Sequence, residues 1–327
     1  MTCFEDLVNF FSDKLKTEIN TLGQREPKKL YEPVVYSLNM GGKRLRPALL
    51  LMAYQLYKND LEKALPAAFA IELFHNFTLL HDDIMDNASL RRNIETIHIK
   101  YSNNAAILSG DAMSILSYEY ISKCQTNRYQ DLIALYTDTA LKICEGQQFD
   151  MNFETTSQVT VDEYLTMIGL KTAVLLAASL KIGALLADAP EKDARLLYEL
   201  GYNLGMAFQL QDDLLDTFGD QNEFGKNIGG DICLNKKTFL LINALKIARD
   251  EQLTELEKWI SATHFDKSEK IERVRRIYVN LGIAEITKDK IDSYFQVFQQ
   301  KWEQLNVNKQ KKECLLVVAN KLMSRQN

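Results

Sequence analysis

The sequence predicts an all-α protein, a bundle of about ten or more helices around one core. Apolar residues recur at helical spacing along most of the 327 residues, and alternating strand-like runs are scarce. Residues that interrupt helices are also few, with five prolines and 14 glycines. The clearest element is AAFAIELFHNFTLLHDDIMD, residues 67–86, which contains neither glycine nor proline. Comparable stretches fall at about 1–20, 44–58, 104–123, 129–151, 161–186, 191–218, 236–249, 268–302 and 307–325. Pro47 suits the first turn of the stretch that opens near residue 44, where its missing N–H costs little. Loop-forming residues gather at 21–28, 87–98, 187–191 and 219–231.

Length alone favours about two domains. No Ser/Gly-rich or Pro-rich linker divides the chain and no internal repeat is evident, so residues 1–327 are expected to form a single domain. A formal net charge of −5 argues against nucleic acid as a partner, since that role needs a basic face. The opening MTCFEDLVNFF lacks a basic region followed by a cleavable apolar stretch, and no transmembrane segment is expected. Five cysteines are scattered without metal-ligand spacing, which suits reduced thiols in a cytoplasmic protein.

Two acidic motifs carry the chemistry. Residues 82–86 read DDIMD and residues 212–216 read DDLLD. On a helix Asp82 and Asp86 stand one turn apart on one face with Asp83 flanking them, and Asp212, Asp216 and Asp213 repeat the pattern. Like charges so clustered destabilise an isolated helix, and each motif follows an apolar run. A cation is therefore expected there. Hard carboxylate oxygens suit Mg2+, which takes one or two carboxylates and completes its shell with water and phosphate. A single such motif reads equally well as an exposed acidic helix end; two do not.

Basic residues stand beside both motifs. GGKRLRP (41–47) supplies Lys43, Arg44 and Arg46, and Arg91 and Arg92 follow the first motif. Lys171 interrupts the apolar run GLKTAVLLAASL, and Lys226, Lys236 and Lys237 follow the second motif. Each alone reads as a solvated surface charge, and Lys171 can also snorkel along its own stem. Their placement around the carboxylates is what points to phosphate, which Arg grips as a fork and Lys as a point charge.

Over about residues 38–240 the chain resembles the trans-isoprenyl diphosphate synthase, or polyprenyl synthetase, family. GGKRLRP, HDDIMD with LRR, GLKTA, FQLQDDLLD, GKNIGGD and NKKT occur in the family's order, and SGD (109–111) and EGQQFD (145–150) are also similar to family segments. The resemblance implies an isoprenoid-synthase bundle around a deep central cavity, with the motifs facing across it, and a homodimer. It implies that Asp82, Asp86 and Asp212 hold magnesium, three ions per active site with substrate bound, supported by Asp83, Asp213 and Asp216. Arg91, Lys171, Thr172, Gln209, Lys226 and Lys236 resemble contacts to an allylic diphosphate, with Lys171 and Lys236 also among the catalytic set. Lys43, Arg46, His75 and Arg92 resemble an isopentenyl diphosphate site. Gln147 and Asp150 match polar family positions in a supporting role. Asn93 and Glu95 depart from the glycine and proline common after the paired arginines, leaving that loop's shape open.

The implied reaction is a short-chain prenyl transfer. An allylic diphosphate ionises, the alkene of isopentenyl diphosphate attacks the cation, and the departing diphosphate takes the proton. Product length is read on the helix of the first motif, where at 1.5 Å per residue Phe77 lies about 7.5 Å and Phe74 about 12 Å before Asp82. Thr78 and Ile71 project near the same face. An aromatic five positions before the first aspartate resembles short-chain synthases. The expected product is geranylgeranyl diphosphate, with farnesyl diphosphate second.

Three alternatives stand beside this. A di-iron bundle draws on Glu72/His75 and Glu95/His98, but the loop between those pairs leaves no room for the helix that should add another carboxylate. A class I terpene cyclase shares one aspartate motif but typically replaces the second. A non-catalytic regulatory subunit tends to lose acidic or basic site residues, and none is missing here.

Overall fold

The computed structural model describes residues 4–219 and 228–323, and these are helical almost throughout. The chain divides into two compact units. The first comprises residues up to Tyr136 with Ala178–Leu197 and Asn306–Leu315; the second comprises Thr137–Ala177, Tyr198–Leu305 and the residues from Leu316 onward.

In the first unit, α1 (Phe4–Leu22) buries Leu7, Phe11, Leu15, Ile19 and Leu22, a stripe spaced four, four, four and three residues apart. Each such buried side chain contributes about 1.5–3 kcal/mol relative to exposure. A second helix, α2 (Lys28–Asn39), lies outside the stretches expected from the sequence and carries Pro33 inside it. The bond lost to Pro33 is offset by burial of Pro33, Val34, Ser37 and Leu38 on one side. Gly41 and Gly42, both at positive φ, then turn the chain into α3 (Leu45–Gln55).

Next comes α4 (Leu65–Met85), with Pro66 in its first turn, packed along α6 (Asn103–Ser122). Between them lies a two-stranded hairpin, Leu90–Arg91 against Ile94–Glu95, and the short α5 (Ile97–Lys100). The hairpin tip is Arg92–Asn93, both at positive φ, the pairing found in tight two-residue turns. That answers the question left by Asn93 and Glu95 in the sequence.

Further helices are α7 (Tyr129–Thr155), α8 (Val161–Ile168), α9 (Val174–Leu186) and α10 (Glu191–Phe218). The stretch expected as one helix over 161–186 contains a π-helical segment, Gly169–Ala173, between α8 and α9. By length and composition Val161–Leu186 passes as a membrane span, contrary to the expectation that nothing here would; 78% of its most apolar window is buried within the protein, as in a core helix. Beyond lie α11 (Gly230–Cys233), α12 (Phe239–Ile247), α13 (Asp250–Ser261), α14 (Lys267–Asn280), α15 (Ile283–Gln304) and α16 (Lys309–Met323). The sequence reading ran 268–302 as one helix, but Gly282 at φ 67 separates α14 from α15. The expected stretches also omit α13, a short and mostly polar helix whose apolar stripe is Leu253, Leu256, Trp259 and Ile260.

One close approach in the first unit is measurable. A Cβ on Gly183 of α9 would stand 2.2 Å from the Leu50 carbonyl oxygen of α3 and 2.9 Å from Ala53 Cβ. Replacing Gly183 with Ala is therefore expected to destabilise the fold by about 1–3 kcal/mol, despite alanine's better helix propensity. Chemical denaturation reads this; a more stable variant contradicts the packing.

Candidate active site

The first acidic motif occupies the last turn of α4. Asp82 and Asp83 lie in the helix and Asp86 caps it, its N–H donating to the Asp82 carbonyl at 2.8 Å. The three carboxylates have different surroundings. Asp83 is 4% exposed, Asp82 half-buried and Asp86 exposed. Asp83 Oδ1 accepts from Arg91 Nε at 2.7 Å and meets Arg91 Nη2 at 2.7 Å, while Arg91 Nη2 stands 3.9 Å from Asp82. Burial raises the Asp83 carboxyl above its usual range and Arg91 pulls it back. The hairpin sends the neighbouring Arg92 elsewhere, to donate to the Gly41 carbonyl.

Around the 41–46 turn the first unit gathers cations. Arg44 forms an ion pair with Glu72 of α4, and Arg46 Nη1 lies 3.1 Å from His75 Nε2. An arginine only donates, so His75 Nε2 accepts and the ring proton sits on Nδ1. Burial, then the charges of Arg46, Arg92, Arg91 and Arg44, hold this imidazole well below its ordinary pKa. Burial also pushes Arg46 down to about 10, and its Nε is buried without a hydrogen-bond partner. Gly42 suits this turn through its φ of 134, which side chains rarely adopt, and a Cβ there would also displace the Arg92 guanidinium 2.7 Å away.

In the second unit, Asp212, Asp213 and Asp216 occupy the last turns of α10. Again the middle carboxylate turns inward. Asp213, 6% exposed, accepts from the Tyr164 hydroxyl and from Gln209 Nε2 at 2.9 Å. Gln209 Oε1 in turn accepts from Thr172 Oγ1 at 3.0 Å. Burial, then Asp231, lifts the Asp213 carboxyl well above the usual range. Asp216 accepts from the Asp231 N–H at 3.0 Å, and its carbonyl accepts from the Gly229 N–H at 2.7 Å. Burial and Asp216 push Asp231 up to about 7, with Lys236 pulling it down. The π-helical segment holds Lys171, whose Nζ meets Asp150 Oδ2 at 2.6 Å. A Cβ on Gly146 would lie 2.4 Å from the Lys171 nitrogen, so the glycine of EGQQFD admits that wide turn.

The sequence profile of the polyprenyl synthetase family matches residues 27–278. The chain belongs to the polyprenyl synthetase family. It is 42% identical over 240 residues, 73% of each chain, to the short chain isoprenyl diphosphate synthase of Methanocaldococcus jannaschii. It is 36% identical, over 100% of its own length and 99% of the relative's, to the geranylgeranyl diphosphate synthase of Methanosarcina mazei. A crystal structure of a geranylgeranyl pyrophosphate synthase superposes with a TM-score of 0.94 at 43% identity over 100% of both chains. As a member, the chain is a prenyltransferase of the short-chain trans-prenyl diphosphate synthase kind.

Several residues that the family resemblance points to are brought together. Arg46, His75 and Arg92 join Arg44 and Glu72; Thr172 and Gln209 join Asp213; Lys171 joins Asp150. Lys43 is exposed on the turn beside Arg44, and Lys236 acts on Asp231. Lys226 lies outside the described residues. Among the chain-length residues, Ile71 and Phe74 are buried, while Phe77 is half-buried with its ring 5.3 Å from Phe74 and 4.8 Å from His81. Thr78, half-buried, donates to the His75 carbonyl at 2.8 Å.

The sequence alone gives Tyr164 and Asp231 no role, and Glu72 enters there only as a ligand in the di-iron alternative. Asp231 stands inside GKNIGGDI and was open to assignment, whereas Tyr164 lies 49 residues from its partner Asp213 with no local signal. Among the described residues no three His, Cys, Asp or Glu side chains form a ready metal cluster. Hard oxygen donors in ones and twos, with the middle carboxylates tied to donors of the protein, fit a cation that fills its shell with water and phosphate.

The tautomer of His75 gives a direct test. Nitrogen-detected NMR is expected to show a neutral ring, protonated on Nδ1, at pH values where an ordinary histidine with pKa about 6.5 is charged. Below about pH 6.5 the unfolded chain takes up a proton that the folded chain refuses, so this residue lowers stability as pH falls and is silent above. Titration of His75 at or above 6.5 contradicts the assignment.

Proposed function

We propose that this synthase condenses isopentenyl diphosphate with allylic diphosphates to make geranylgeranyl diphosphate, with magnesium as its cofactor. The observation that carries the reading is the repeated carboxylate arrangement: in both DDxxD motifs the middle aspartate is bonded to protein donors. In this reading Asp82, Asp86 and Asp212 hold the metal, supported by Asp83, Asp213 and Asp216. Magnesium, when bound, withdraws charge from the departing diphosphate.

The chain's own residues do the rest. Arg91, Lys171, Thr172, Gln209, Lys226 and Lys236 hold the allylic diphosphate and steady the charge that grows as its C–O bond breaks. Lys43, Arg46, His75 and Arg92 hold isopentenyl diphosphate so that its alkene meets the allylic cation. The neutral His75 serves there as a hydrogen-bonding group without adding charge. The new C–C bond leaves a cation that loses a proton to the released diphosphate. Phe77, with Phe74 and Ile71 behind it and Thr78 beside it, supplies the floor that stops elongation. The named activities of the full-length relatives support the twenty-carbon product.

The same reading makes the chain a cytoplasmic homodimer of one catalytic domain. The free thiols Cys124, Cys144, Cys233 and Cys314 support a reducing compartment, and Leu108 and Ile115, exposed on α6, support a partner surface.

Incubation with isopentenyl diphosphate and allylic starters of increasing length, followed by product sizing, tests this. Twenty-carbon product is expected, longer products from Phe77→Ala, and turnover lower by several orders of magnitude in Asp82→Ala with helicity kept. Turnover without isopentenyl diphosphate favours a cyclase instead, and unchanged lengths from Phe77→Ala remove it from the floor.

A further inference from the structure

We infer that Glu72 and Arg44 are a positioning pair that sets the isopentenyl diphosphate site; the inference rests on the reading of Lys43, Arg46, His75 and Arg92 as that site. Arg44 lies between two of those residues in sequence, yet its side chain faces away from any ligand role. It is 8% exposed and paired with Glu72, itself 4% exposed. Its second terminal nitrogen donates to the Leu38 carbonyl at 2.7 Å. One guanidinium fork therefore clamps the end of α2 to the middle of α4.

The backbone explains why a clamp is needed. After Gly41 and Gly42 the chain reaches Arg44 at φ 48 and ψ 34, left-handed geometry that a long side chain rarely adopts. Arg44 is the residue from which α3 starts, and two positions later Arg46 meets His75. Release of the Arg44 side chain frees the turn to relax toward ordinary dihedrals, and the presentation of Lys43 and Arg46 is lost with it.

Charge gives Glu72 its second part. Arg44, Arg46 and Arg92 act on one another or on His75, and Glu72 is the carboxylate that acts on both Arg46 and Arg92. Three guanidinium groups against the Glu72 carboxylate leave this cluster net positive, suited to a diphosphate. Glu72 is fixed by Asn76, whose Nδ2 donates to its carboxylate at 3.0 Å and to its carbonyl at 2.8 Å. Loss of the carboxylate leaves the guanidinium groups crowded without a counter-charge.

The test is steady-state kinetics of the full chain with each substrate varied at saturation of the other. Glu72→Gln is expected to raise KM for isopentenyl diphosphate about tenfold or more, while KM for the allylic diphosphate and kcat move by less than about threefold. Glu72→Asp restores part of the loss. Arg44→Lys, which keeps the charge but not the fork, raises the same KM to a smaller extent and serves if Glu72→Gln does not fold. Lys43→Ala and Arg46→Ala report on the parent reading by raising KM for isopentenyl diphosphate alone. If they do so and the Glu72 and Arg44 variants do not, or if those variants weaken both substrates equally, the positioning pair is overturned. If Lys43→Ala and Arg46→Ala leave that KM unchanged, the site reading itself fails and the inference falls with it.

Discussion

Like charges held close together in a partly buried place are the constraint on which this protein is built. At about 6 Å and an effective dielectric near 20, two carboxylates repel by about 3 kcal/mol. Each acidic motif puts three aspartates within five residues at the end of a helix. The fold meets this by treating the three differently. The middle aspartate is turned inward and bonded, Asp83 to Arg91 and Asp213 to Tyr164 and Gln209. The proposed reading gives the other two, one helical turn apart, to a cation. An ion that keeps much of its water and takes phosphate as a further ligand matches such a sparse protein shell.

The cationic side obeys the same rule with the sign reversed. Arg44, Arg46 and Arg92 converge on a turn built from Gly41 and Gly42, and Glu72 stands among them as counter-charge. His75 joins this group as a neutral ring, since a charged one would add to the repulsion. In the proposed reading, partial neutralisation by Glu72 leaves the cluster positive enough to attract a diphosphate. Charge placement of this kind fixes donors before substrate arrives, which is how an electrostatic site avoids reorganising during the reaction.

Much of this was legible in the sequence. Helical periodicity gave the all-α fold, and the order of GGKRLRP, DDIMD, LRR, GLKTA, DDLLD and NKKT gave the chemistry. What stayed hidden depended on partners distant in sequence or on local geometry that periodicity does not encode. The DDxxD spacing places three carboxylates but does not say which turns inward; that is decided by Arg91 next to the tip of a hairpin and by Tyr164 on another helix. The run GLKTA reads as ordinary helix, and neither its π turn nor the close passage of Gly146 against its backbone is encoded in periodicity. Two helices lay outside the expected stretches: α2, which carries Pro33 inside it, and α13, short and low in overall hydrophobicity although its apolar residues keep helical spacing.

The division of labour within each motif is the central claim, and anomalous diffraction is its most direct test. Crystals soaked with Mn2+ and a non-ionising thio analogue of the allylic diphosphate are expected to place metal peaks on the carboxylates of Asp82, Asp86 and Asp212. Asp83 should remain on Arg91, and Asp213 on Tyr164 and Gln209. Metal bound directly to Asp83 or Asp213, or absent from both motifs, contradicts the account.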